Sequence, residues 1–140
     1  MTSRLRLAAL FLISLTGSAA AESDCDTLKT LVRQAPEGFS SYVGGRPEPQ
    51  SLDAKLDRSP SNISWGDADC TVASGNDVLR CSWAKGSFDD SVKMVSQCLP
   101  GAAKVAASGE TFFTVPVSHV IVAISGSDGT DDLLIEIRGP

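Results

Sequence analysis

The chain has 140 residues, with 12 Lys and Arg against 17 Asp and Glu, one His, and a formal net charge of −5. That length suits a single domain with a sizeable core. Acidity without a basic run argues against a nucleic-acid or anionic-membrane surface, and a lone histidine excludes a zinc site of several imidazoles.

The chain opens Met-Thr-Ser-Arg-Leu-Arg, and an apolar run follows from Leu7 to Leu15. It then softens through small residues to Ala19-Ala20-Ala21. A basic start, a short apolar centre and a small-residue exit describe a secretory signal peptide cut after Ala21. A membrane anchor needs about 20 apolar residues, more than this run supplies. Arg4 and Arg6 are separated by Leu5, so the pair is not a twin-arginine signal. Glu22-Ser23-Asp24 stands between the small residues and Cys25, so lipid attachment is not expected. The expectation is a leader over residues 1–21 and one domain over 22–140, periplasmic or secreted from a bacterium, without stable membrane insertion. Loss of Arg4 and Arg6 with the leader makes that domain more acidic, a charge that serves solubility.

Ser23, with Asp26 three residues on, has the form of a helix cap. Cys25, Leu28, Leu31, Val32 and Ala35 then recur at helical spacing until Pro36 and Gly38. The stretch from Gly38 to Pro60 holds Gly44-Gly45-Arg46-Pro47-Glu48-Pro49, which no regular element accepts. Within it Leu52, Ala54 and Leu56 alternate with Asp53, Lys55 and Asp57, the pattern of a half-buried edge strand. Ile63 and Trp65 have the opposite parity to Cys70 and Val72, so a bulge near Gly66 is expected to reverse the phase.

Asp69 to Trp83 reads as a hairpin with a two-residue turn at Gly75-Asn76. Centred there, the turn sets Val72 opposite Leu79 and Cys70 opposite Cys81 on one face. Ser87 and Asp90 cap a second helix, with Phe88, Val92, Val95 and Leu99 on its inner face beside Cys98, closed by Pro100-Gly101. Gly101 to Gly109 is small and alanine-rich and reads as a connector. Phe112 to Ile124 is β-prone, with Pro116 marking an exposed or bulged point. A turn at Asp128-Gly129 aligns Ile124 with Leu133, Val122 with Ile135 and Val120 with Ile137, leaving Glu136 and Arg138 outward.

The expected fold is a two-layer α+β domain with an antiparallel sheet of about five strands. Its order is α-β-β-β-α-β-β, with both helices on one face. That order resembles the topology of type III secretion chaperones. The likeness is one of element order alone, since those chaperones are cytosolic and not built on disulfides.

Cys25, Cys70, Cys81 and Cys98 all follow the leader and show no C-x-x-C spacing, so two disulfides are expected rather than a redox or zinc motif. The hairpin register favours Cys70–Cys81, which leaves Cys25–Cys98 by elimination; a competing connectivity couples Cys81 with Cys98.

His119 has no nucleophile or carboxylate beside it in the sequence and reads as an exposed strand residue. Ser82-Trp-Ala-Lys85 matches S-x-x-K formally, but it ends a strand rather than opening a helix. Asp128, Asp131 and Asp132 lack the EF-hand spacing and suit turn chemistry. Asp89 and Asp90 suit helix-capping and dipole roles. No catalytic residue, metal ligand or cofactor is assigned. Trp83 and Phe88 are assigned to the core, while Phe39 and Tyr42 flank the glycine-proline loop and are expected to be half-exposed. With Gly44, Gly45 and Arg46 they form the candidate contact surface, and they serve equally as a lid over the core. Phe112-Phe113 is a second, weaker candidate.

The functional expectation is a non-catalytic binding protein outside the cytoplasm: an inhibitor, an immunity-type protector or an accessory subunit of an envelope complex. Its partner would be another envelope or extracellular protein, not a nucleic acid. The alternatives are a carrier of a small apolar ligand and a small extracytoplasmic hydrolase.

Overall fold

A computed structural model describes residues 19–44, 58–126 and 132–140. Helix α1 covers Ala19–Gln34 and α2 covers Phe88–Cys98. The strands are β1 (Arg58–Pro60), β2 (Asp69–Ala73), β3 (Val78–Trp83), β4 (Ala103–Ala107), β5 (Glu110–Thr114), β6 (Ile121–Gly126) and β7 (Leu133–Arg138). They form one antiparallel sheet in the order β1-β2-β3-β7-β6-β5-β4. The expected leader lies outside the described residues except for Ala19–Ala21, and so do the expected strand at Leu52–Leu56 and the turn at Asp128-Gly129.

The α+β class holds, but the sheet has seven strands rather than about five. The additional length comes after α2, where four strands replace the expected two. The likeness of element order to the type III chaperones lapses with that count. Residues read as a connector form β4, because Ser108-Gly109 turns the chain back on itself with Gly109 at φ +77°. Phe112 to Ile124 is split by a turn into β5 and β6, and Val117 and His119 take positive φ there.

α1 includes Ala19–Ala21, ahead of Ser23, three alanines of high helix propensity. Its apolar stripe buries Leu28, Leu31 and Val32, and Ala35 just beyond it is buried too. Pro36 sits in a 3-10 turn over Ala35–Glu37 that ends at Gly38, φ +81°. In α2 the expected cap is present: Ser87 Oγ accepts a hydrogen bond from the Asp90 amide at 3.3 Å. Asp89 and Asp90 place negative charge at the positive end of the helix dipole. Val95 and Cys98 are buried, with Phe88, Val92 and Leu99 packed half-buried around them.

The first hairpin keeps its expected register, Val72 opposite Leu79 and Cys70 opposite Cys81. Its turn is wider than expected, spanning Ser74–Asp77 about the same centre, with Asn76 rather than Gly75 at positive φ. Symmetric widening leaves every pair unchanged. In the second hairpin Ile124 faces Ile135 and Val122 faces Ile137, two residues away from the expected register. A two-residue slip keeps each residue on its own face, so the apolar alternation cannot distinguish the two alignments; only an odd slip would reverse the faces.

Both disulfides of the favoured connectivity are present. Cys25–Cys98 joins α1 to α2, and Cys70–Cys81 joins β2 to β3. Both helices pack on the face that carries Val72, Leu79, Phe113, Val122, Ile124, Ile135 and Ile137, all buried in one cluster. The C-terminal β7 lies at the centre of the sheet, between β3 and β6. Gly139 follows it, with its amide bonded to the Asp77 carbonyl at 2.8 Å. A Cβ on Gly139 would come within 2.7 Å of the Ala35 carbonyl oxygen, so this close approach of two backbones needs glycine.

Candidate functional site

The reversal of phase expected near Gly66 is achieved by a turn rather than a bulge. Gly66 takes φ +59°, and the Ala68 amide bonds to the Trp65 carbonyl at 3.1 Å. The turn buries Trp65 to 3 % exposure against Trp83, the last residue of β3. The two rings meet edge to face, with centroids 5.2 Å apart and planes at 85°. Trp65 Nε1 donates to Asp24 Oδ1 at 3.2 Å, which ties this corner to α1.

Two open clefts share Trp83 in their lining. The larger, about 560 Å³, has Leu133, Ile135 and Met94 among its apolar lining, with Asp24, Asp67, Asp90, Lys85 and Ser87 as polar lining. The other, about 500 Å³, is lined by Asp67, Asp69, Asp132, Ser82, Ser125 and Leu134. Asp67, Trp83 and Leu133 border both. Trp83 has the parity of the helix face, whereas Ser82, Leu134 and Ser125 have that of the opposite face, so the clefts meet at the end of the sheet. Trp83 is half-buried, while Asp67, Asp69, Asp90 and Asp132 are exposed. Five carboxylates against one lysine give this end of the sheet a negative field that open solvent screens only in part. Close packing also shapes the floor. A Cβ on Gly86 would fall 2.7 Å from the Leu133 Cβ, so glycine lets the β3–α2 link lie against β7.

Among residues singled out from the sequence, the four cysteines come together in pairs as expected. Phe39 does not reach the surface: it is fully buried, with its ring 6.3 Å from that of Tyr42. The Phe39 amide bonds to the Asn76 carbonyl, which draws the ring under the β2–β3 turn and corrects the expectation of a half-exposed Phe39. Tyr42 is half-buried and lines a groove of about 330 Å³ with Thr30, Leu31 and Ile63. Gly44 is exposed and bonds through its amide to the Pro60 carbonyl at 2.8 Å. Gly45 and Arg46 lie outside the described residues, as do Asp128 and Asp131.

Trp83 and Phe88 are half-buried rather than enclosed. Phe113 is buried on the helix side, and Phe112 is half-buried on the opposite face. His119 is exposed in the turn between β5 and β6 and borders neither cleft beside Trp83. Ser82 and Lys85 border different clefts, so the S-x-x-K spacing does not bring them into one site. Among the described residues no group of three or more His, Cys, Asp or Glu could hold a metal ion. No described helix is long and apolar enough to cross a membrane.

The Trp83 clefts were not legible beforehand. Trp65 and Trp83 are far apart in sequence, and Asp24 belongs to a third element. The available signal was the parity mismatch of Trp65, which required a sharp turn beside a large ring. No protein-family model, curated protein or solved structure matches this chain.

Proposed function

We propose that this protein is a non-catalytic binding module of the cell envelope or exterior, and that it holds a basic segment of another protein at the clefts beside Trp83. One observation carries the reading: a half-buried tryptophan where two carboxylate-lined clefts meet, at one end of a sheet-and-helix sandwich cross-linked by two disulfides. An Arg or Lys side chain fits that combination. Its cation gains from the ring face and from the carboxylates, and its methylene stem covers apolar surface.

Several features support binding over hydrolysis. The lone histidine stands apart from both clefts, and the serine and lysine of the S-x-x-K spacing line different clefts. The carrier reading is less favoured, because the space between sheet and helices is filled by packed side chains and the clefts open at its end. The signal-like leader and the paired cysteines support an extracytoplasmic address.

The test is affinity capture from envelope and culture-medium fractions on the immobilised protein, native against Trp83→Ala, at about 0.05 M and about 0.5 M salt. The expected result is a specific protein whose retention falls at least about tenfold in the variant and weakens with salt. Capture that ignores both the substitution and the salt overturns the assignment of the site.

A further inference from the structure

The two edges of the sheet are unlike. β1 (Arg58–Pro60) ends in Pro60, which removes a donor, and the strand's outer side is covered where the Gly44 amide bonds to the Pro60 carbonyl and Val43 bridges to Ser61. β4 has five residues, Ala-Lys-Val-Ala-Ala, all exposed, with neither proline nor bulge, and among the described residues no strand lies beyond it. Val105 at its centre is 61 % exposed, one of two large apolar residues so exposed among the described residues. The other, Val117, stands on the adjoining β5–β6 turn.

The register of the β4–β5 hairpin says which backbone groups face outward. Ala107 and Glu110 close the turn at Ser108-Gly109 and form its hydrogen-bonded pair. Alternation then directs the amides and carbonyls of Ala103, Val105 and Ala107 to β5, and those of Lys104 and Ala106 to the open edge.

We infer that two copies of this chain join through β4, antiparallel, about a two-fold axis at Val105. That alignment pairs Lys104 with Ala106 of the second copy, and Ala106 with its Lys104. Both pairs exchange their outward amide and carbonyl groups, so all four backbone hydrogen bonds are made where the free groups lie. Val105 meets its own copy as the closer, non-hydrogen-bonded pair. The row Phe112–Val105 on the helix-free face then continues into the second molecule.

Neighbouring registers are worse. An axis on Lys104 sets two ammonium groups opposite each other, and an axis on Ala106 runs the pairing into the Ser108-Gly109 turn. The surface is thus complementary to itself in a single register. The dimer leaves the Trp83 clefts untouched, so the two proposals stand or fall separately.

Sedimentation equilibrium of the oxidised protein over about 1–300 µM tests the inference, with near-UV circular dichroism confirming the fold of each variant. A monomer–dimer equilibrium is expected. Val105→Lys, which sets like charges on the axis, should raise the dissociation constant at least about tenfold. Ala106→Glu, which places a carboxylate opposite Lys104 of the second copy at both pairs, should lower it several-fold. A protein monomeric throughout that range overturns the proposal. So does a dimer indifferent to both substitutions, and so does an edge that pairs only with an added foreign strand.

Discussion

Glu136 lies on the helix-free face of the central strand, opposite Arg80 and two residues from Arg138. It is only 8 % exposed, and both guanidinium groups reach it: Arg80 Nε and Nη2 donate to one carboxylate oxygen at 3.1 and 2.9 Å, and Arg138 Nη2 to the other at 3.1 Å. Burial pushes this carboxyl up, but the hydrogen bonds and charges of the two arginines more than offset that and hold it below its ordinary 4.5. A carboxylate with a lowered folded-state pKa stabilises the fold fully above its unfolded value, and the contribution is lost as pH falls through the folded value. The arginine side chains are 34 % and 44 % exposed, so water screens much of the pairing. Glu136→Gln is therefore expected to cost about 1–2 kcal/mol at pH 7, with the gap closing as pH drops below about 4.5. Urea midpoints of both proteins from pH 7 to pH 3 measure this; a gap absent at pH 7, or constant across the range, contradicts it.

At the scale of elements, the two disulfides act on different parts of the chain. Cys70–Cys81 spans 11 residues within a hairpin already held by its ladder, whereas Cys25–Cys98 spans 73 and joins the two helices. The chain-entropy relation gives about 3 kcal/mol for the shorter loop and about 4 for the longer. Removing Cys25–Cys98 by paired Cys→Ser substitution should therefore lower the unfolding free energy more than removing Cys70–Cys81. Equal losses in urea titrations, or the reverse order, would show that strand pairing rather than loop length sets the effect. Both hairpins were legible because alternation and turn residues are local. β4 was not, because an exposed strand buries nothing on either face and so leaves no alternation in the sequence. Its only mark was Ser108-Gly109, a turn signal inside an alanine-rich stretch.

For the molecule as a whole, stability should be graded from the centre of the sheet outward. β3, β7 and β6 have strand neighbours on both sides and the buried Leu79, Ile124, Ile135 and Ile137, while β1 is flanked on its outer side only by the bridge from Val43 to Ser61 and β4 by no described strand. Native-state hydrogen exchange is expected to find the slowest amides in β3, β6 and β7. The outward amides of Lys104 and Ala106 should be among the fastest in dilute protein and slow with concentration if the dimer forms. Protection centred instead on α1 or β1 would mean that the sheet is not the last part to open.

The Cys70–Cys81 pair, the capped second helix, the parity of both hairpins and the α+β class were all determined by the sequence, since each rests on contacts between near neighbours or on strict periodicity. Tertiary structure alone decided that β7 inserts between β3 and β6, that Phe39 is drawn into the core, and that Asp24, Trp65 and Trp83 meet at one corner. Those outcomes join residues tens of positions apart. They depend on how whole faces fit together, and no local pattern of residues records that fit.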